Sequence, residues 1–248
     1  MKKELSNDPF ENAFLDYFSG KRSVEIIIHS NKSDVDGVPV EYFFREFDQM
    51  PEIEKSALGH CTGKILDIGA GSGCHSLILQ KQGKDVTALD IRQAFVDIMK
   101  KRGLNKVVLA DIYSYNQNTF DTLLMLMNGI GFTGDLNGLA RFLAHSRRLI
   151  RPGGQILLDS TDILYLYEEE DGSVMLNLNE DYYGEVVYRF EYNGVTGKPF
   201  KWLFVDYSLL SEMAGQAGYN CELLMEDGFI ITWQGYIEFI QVNPGLIL

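Results

Sequence analysis

Cysteine and positive charge are the scarce materials in this chain. Its three cysteines, Cys61, Cys74 and Cys221, are too few and too scattered for a disulfide framework or a metal knuckle. No metal is expected, and a reducing compartment fits. Lys and Arg number 22 against 35 Asp and Glu, a formal net charge of −13. A phosphate backbone is bound through a basic footprint, so no nucleic-acid partner is expected. The local basic runs, Lys100-Lys101-Arg102 and Arg147-Arg148 with Arg151, read as charged helix ends. No stretch approaches the roughly 18 uninterrupted apolar residues of a membrane span. The opening MKKELSNDPFENAF lacks the apolar core of a signal peptide. These absences together predict a cytoplasmic protein with no membrane partner.

What remains is ordinary globular material, 46% apolar and 23% charged over 248 residues. At about 100–200 residues per domain, that length makes one large domain with additions, and two full domains would be cramped. From residue 64 onward short apolar runs alternate with longer amphipathic ones, the pattern of a parallel sheet covered by helices on both faces. Strands are expected at 64–68, 85–89, 106–109, 121–127 and 155–159, and helices at 73–82, 92–102 and 135–150. The last helix meets Arg151-Pro152-Gly153-Gly154, where proline and paired glycine stop a helix and turn the chain. Residues 185–206 hold two β-prone runs around a Gly-rich turn, a predicted hairpin. A helix at 207–218 and closing strands at 219–226 and 229–241 follow. The fold class expected is α/β: a doubly wound, mostly parallel seven-stranded sheet with an antiparallel closing hairpin, in a three-layer sandwich.

The segment richest in chemistry is Ile65-Leu66-Asp67-Ile68-Gly69-Ala70-Gly71-Ser72-Gly73, a strand running into a Gly-rich turn that opens a helix. Glycines remove the Cβ atoms that would keep a ligand from the backbone N–H groups and the positive helix end. A dinucleotide fingerprint would carry its third glycine where Cys74 stands, so that pattern fails. The carboxylate of Asp67 would repel a pyrophosphate and attract an ammonium, favouring a zwitterionic amino-acid ligand. Asp90 follows the first glycine at the spacing of a ribose-binding carboxylate. Asp111 ends the next strand, where a carboxylate accepts a hydrogen bond from an adenine amino group. Asp67 and Asp90 also stand where helix caps would, Asp111 where a turn residue would, and Asn128-Gly129 where a loop turn would.

In these features, taken in order, the sequence resembles the class I S-adenosylmethionine-dependent methyltransferases over about residues 60–165. Asp67 to Gly73 is similar to their first motif, Asp90 to the acidic residue closing their second strand, and Asp111 to their adenine-side acidic position. Phe120 to Asn128 resembles their fourth strand and the loop facing the reactive methyl, and Leu149 to Gly154 their helix-to-fifth-strand turn. The resemblance implies S-adenosylmethionine as cofactor, held by Asp67, Gly69, Ala70, Gly71, Ser72, Gly73, Asp90, Ile91, Asp111, Ile112 and Asn128. It divides the chain into a helical cap or substrate cover at 1–60 and a Rossmann-like cofactor domain at 61–248 with the 185–206 hairpin inserted. Asn128-Gly129-Ile130-Gly131 stands where enzymes methylating planar nitrogens carry Asn-Pro-Pro-Tyr or Asp-Pro-Pro-Tyr, which counts against a nucleobase amine.

The implied activity is in-line methyl transfer to a small-molecule acceptor, catalysed mainly by positioning. A base is needed only if the acceptor arrives protonated. His29, Tyr42 and Arg45 are the polar candidates on the acceptor side, although Tyr42 and Phe43 also suit packing against the sheet. The tyrosines from Tyr165 to Tyr192 suit a flat or cationic acceptor and equally a hairpin core. His75 reads as a packed or solvent-facing side chain. A nicotinamide-dependent oxidoreductase and a non-catalytic S-adenosylmethionine-binding protein are the alternatives.

Overall fold

The alternation of side chains along Ile65, Leu66, Leu123, Leu124, Ile156 and Leu157 sorts them onto two faces of one sheet, as the two-residue period of a strand requires. The computed structural model describes residues 8–169, 171–176, 181–227 and 234–242. In chain order it contains α1 (Pro9–Phe18), β1 (Glu25–Ser30), β2 (Asp36–Pro39), 3-10 turns at Val40–Phe44 and Phe47–Gln49, α2 (Glu52–His60), β3 (Lys64–Ile68), α3 (Cys74–Lys81), β4 (Asp85–Asp90) and α4 (Gln93–Lys101). Then come β5 (Val107–Leu109), β6 (Phe120–Met125), a 3-10 turn at Gly129–Thr133, α5 (Leu136–Ser146), β7 (Ile150–Asp162) and a 3-10 turn at Leu164–Tyr167. The chain continues through β8 (Glu185–Tyr192), β9 (Val195–Thr196), β10 (Phe200–Leu203), α6 (Tyr207–Gln216), β11 (Tyr219–Asp227) and β12 (Gln234–Val242).

The larger sheet has seven strands in the order β11-β12-β7-β6-β3-β4-β5. Its five strands from β7 to β5 pair in parallel, β12 lies antiparallel to β7, and β11 antiparallel to β12. On one face Met50, Ile53, Ala57 and Leu58 from α2 and its approach join Ile78 and Leu79 from α3. On the other, Leu139, Phe142 and Leu143 from α5 meet Leu210 and Ala214 from α6. Helices thus cover both faces of the α/β sheet.

A second sheet departs from the sequence reading. Its strands run β10-β8-β1-β2, with β9 on β8, all antiparallel. The segment 185–206 is therefore no free-standing hairpin, because β1 from the N-terminal residues pairs with β8. The first sixty residues, expected as a helical cap, hold two of this sheet's strands as well as α1 and α2. Phe14, Ile26, Val40, Phe95, Ile98 and Tyr192 bury the sheet against α1 and α4. Ring contacts fasten it there, with Phe14 and Phe95 centroids 4.5 Å apart and Phe10 and Phe190 stacked at 4.7 Å, a geometry that adds about 0.5–1.5 kcal/mol per pair.

Smaller differences have local causes. The strand expected at 121–127 ends at Met125, because Met127 and Asn128 take left-handed φ of 62° and 52°. The helix expected to reach residue 150 stops at Ser146, whose hydroxyl turns back onto the Leu143 carbonyl. Arg151 to Gly154 bulges within β7, where the register beside β6 slips between Phe120 and Thr122; Pro152 has no N–H and Gly153 has φ 79°. Residues 229–233 of the last expected strand lie outside the described residues.

Candidate active site

The parallel strands end along one edge, where the turn leaving β3 bonds to Leu89 and Asp90 of β4 and the turn leaving β6 bonds to Asp159 of β7. After β3 the chain passes Gly69, Gly71 and Gly73 at φ 71°, 56° and 81°, values that L side chains rarely adopt. The three glycines differ in purpose. A Cβ on Gly69 would meet nothing within 4 Å, and one on Gly71 only the Gly69 carbonyl at 3.9 Å. A Cβ on Gly73 would strike Leu104 at 2.7 Å and Met99 at 2.9 Å. Gly69 and Gly71 therefore leave an open cradle, while Gly73 lets α3 pack closely. No side chain caps the start of α3, so its positive end is free for a polar ligand. The amides of Gly69 and Ala70 donate to the Leu89 carbonyl at 2.9 and 3.0 Å, fixing the turn against β4.

Asp90 closes β4 and is 4% exposed. One carboxylate oxygen accepts from the Gly71 amide at 2.9 Å, the other from the Arg92 amide at 2.8 Å. It braces the cradle and the start of α4 at once, and each oxygen keeps a lone pair for a ribose hydroxyl. Burial raises its pKa against the pull of those amides. Ile91 beside it is 62% exposed, an apolar surface for a flat ring. Asp111 is exposed and accepts from the Tyr113 amide at 2.9 Å, an Asx turn. Ile112 points into the core. These open glycines, the uncapped helix and the fixed carboxylate fit an adenosyl amino acid.

Asp67 sits beneath the turn, 2% exposed, and accepts from Ser76 Oγ on α3 at 2.7 Å. Burial raises its pKa, opposed by His75 and Ser76. Ser72 donates to the Phe43 carbonyl and accepts from Arg102 at 2.8 Å, which straps the 3-10 turn at 40–44 over the glycine turn. Asn128, 8% exposed, donates to the Leu203 carbonyl on β10 at 3.1 Å. Its Oδ1 is buried without a hydrogen-bond partner among the described residues.

The acceptor-side candidates separate. Tyr42 and Arg45 come together, the guanidinium 3.6 Å over the ring. Arg45 is 8% exposed and donates to Glu54 Oε1 at 2.7 Å, while His75 meets Glu54 Oε2 at 2.8 Å. Burial alone would raise the Glu54 carboxyl, but His75 and Arg45 hold it below its ordinary value. Burial alone would lower His75, but Cys74 and Glu54 hold it well above. His29 is elsewhere: it pairs with Glu191 at 2.9 Å on the side of β1 opposite Ile26 and Ile28, the residues packed towards α1. Sequence reading missed Glu54, Arg102 and Asp159. Asp159 accepts from the amides of Met127 at 3.0 Å and Asn128 at 2.7 Å. An acidic residue closing the predicted 155–159 strand, like Asp90 after β4, was the available signal; Glu54 carried none.

Known proteins resemble this chain in sequence and fold. A family model described as a methyltransferase domain matches residues 66–158. A SAM-dependent methyltransferase from Bacteroides fragilis, solved with S-adenosyl-L-homocysteine, is 39% identical; the match covers 96% of this chain and 95% of that one, with a TM-score of 0.86. The CcbJ methyltransferase of Streptomyces caelestis shares the fold, with a TM-score of 0.61 at 12% identity over 96% of this chain and all of that one (100%). Cypemycin N-terminal methyltransferase from a Streptomyces species is 29% identical over 102 residues, which span 40% of this chain and 42% of that protein. The near full-length likeness to the Bacteroides enzyme, joined to the glycine cradle and its bracing carboxylate, makes this chain a member of the class I S-adenosylmethionine-dependent methyltransferases.

Proposed function

We infer that this protein transfers the methyl group of S-adenosylmethionine to a small-molecule acceptor by in-line displacement. The open, left-handed glycine cradle braced by Asp90 is the observation that carries this reading. The sulfonium methyl is an activated electrophile and needs no covalent enzyme intermediate. The chain's own part is to orient and enclose, and holding two reactants in line is worth on the order of 7–11 kcal/mol. Gly69, Ala70, Gly71, Ser72 and Gly73 lie along the amino-acid part of the cofactor, with Asp67 beneath. Asp90 takes the ribose hydroxyls, Ile91 and Asp111 border the adenine whereas Ile112, packed in the core, does not, and Asn128 borders the methyl. The described N-terminal residues 8–60 and the 185–206 segment form the acceptor cover, with Tyr42 on the acceptor side, Arg45 behind its ring and His29 on the far face of β1. The −13 charge favours a metabolite over a nucleic acid.

Isothermal titration with S-adenosylhomocysteine and with NAD, followed by Asp90→Ala, tests the reading. Binding of the first alone is expected, weakened in the variant by about 1.5–3 kcal/mol, the worth of a charged hydrogen bond. Binding of NAD in its place would overturn the assignment.

A further inference from the structure

Asp159 is a carboxylate without a cation. It lies one residue beyond the Met125 and Leu158 pairing of β6 and β7, where the turns carrying the glycines and Asn128 emerge. Both oxygens accept backbone amides, from Met127 and Asn128, and each retains a lone pair. The cation acting on it, His75, is occupied elsewhere: it shares Glu54 with Arg45, each taking one carboxylate oxygen. Among the described residues Asp159 has no ion pair. The adjacent Asn128 Oδ1 is a second acceptor without a donor. The Tyr42 ring, 41% exposed with Arg45 behind it, belongs to the same cluster. A site with a lone carboxylate and an unused carbonyl is short of hydrogen-bond donors and of positive charge, and a ligand that brings both completes it.

We propose that Asp159 and Asn128 Oδ1 form the acceptor subsite, that the acceptor's reacting group is an amine presented as an ammonium, and that Asp159 takes its proton. This rests on the methyl-transfer reading above and names its substrate class. One N–H bond of the ammonium breaks as an O–H bond forms on Asp159, leaving the electron pair on nitrogen. The nitrogen then forms its bond to the methyl carbon as the carbon–sulfur pair returns to sulfur, and Asp159 releases the proton to solvent. Burial and the Glu54 carboxylate push the Asp159 carboxyl up to about 7, against the Asn128 amide, His75 and the Met127 amide, the range of a working general base. The described titratable groups facing it are Glu54 from α2, His75 from α3 and Tyr42 from the 3-10 turn.

The test uses four amines, namely a tripeptide with a free N-terminus, an amino sugar, 2-phenylethylamine and putrescine, each beside its hydroxyl analogue. Titration into protein saturated with S-adenosylhomocysteine is expected to show at least one amine binding tenfold or more tighter than its alcohol. Asp159→Asn should abolish that preference, and Asp159→Glu should retain part of it. With carbon-13-labelled cofactor, label should appear on nitrogen, at a rate rising with pH through about 7 and falling about 100- to 10,000-fold in Asp159→Asn. Label on oxygen, or no amine bound better than its alcohol, overturns the amine proposal while the methyl-transfer reading stands. Failure of the wild-type protein to bind S-adenosylhomocysteine overturns that reading instead.

Discussion

Two glycines two positions apart make opposite demands. Gly71 faces open space at φ 56°, whereas Gly73 lies against Leu104 and Met99. Gly71→Val is expected to abolish S-adenosylhomocysteine binding in calorimetry at a modest cost in stability, from its positive φ. Gly73→Val should chiefly lower the urea midpoint, since backbone and core must both move. Glu54, 2% exposed, is a buried carboxylate held between Arg45 and His75. Glu54→Gln leaves both cations without their counter-charge and is expected to cost about 3–5 kcal/mol, measured by urea unfolding. The glycine turn and Asp90 were legible because their chemistry lies within a strand and its following turn. Glu54 was not, since its partners are 9 and 21 residues away and nothing local in α2 marks it.

Helix starts and strand runs were readable where local rules decide them. Asp206 caps α6 by accepting from the Leu209 amide at 3.0 Å, and it also takes the Tyr182 hydroxyl at 2.7 Å. Asp206→Ala should therefore destabilise by about 0.5–2 kcal/mol from the cap, and thermal melting checks it. The second sheet followed no local rule. The His29 and Glu191 pair across β1 and β8 joins residues 162 apart, so neither strand carries a sign of the other. The apolar run Ile26-Ile27-Ile28 fits a strand, but only a partner gives it a ladder.

For the molecule as a whole, ligand and pH act through groups already named. S-adenosylhomocysteine at one hundred times its Kd stabilises the fold by about 2.7 kcal/mol, so a rise of roughly 5–10 °C in Tm is expected. His75 is raised above 6.5 and Asp159 to about 7. A raised pKa contributes stability in full below the group's ordinary value and loses it as pH climbs through the folded one. Glu54, lowered, contributes above its ordinary 4.5 and loses it as pH falls through its folded value. Asp159 loses its contribution from its ordinary 3.8 up to about 7, and His75 from 6.5 upward. Melting curves should therefore place the maximum at about pH 4.5, with a decline towards pH 7 that Asp159→Asn makes shallower and a further decline above it that His75→Gln makes shallower.

Adjacent residues alone dictated the alternating α/β pattern, the cradle and the carboxylate behind it, because backbone freedom and strand periodicity are properties of short segments. Tertiary structure decided that α1 and β1 lie on α4, that Arg45, Glu54 and His75 share a buried network, and that Asp159 holds the Met127-Asn128 turn. Those arrangements pair groups distant along the chain, and such pairings follow from burial and charge balance once the whole core has assembled.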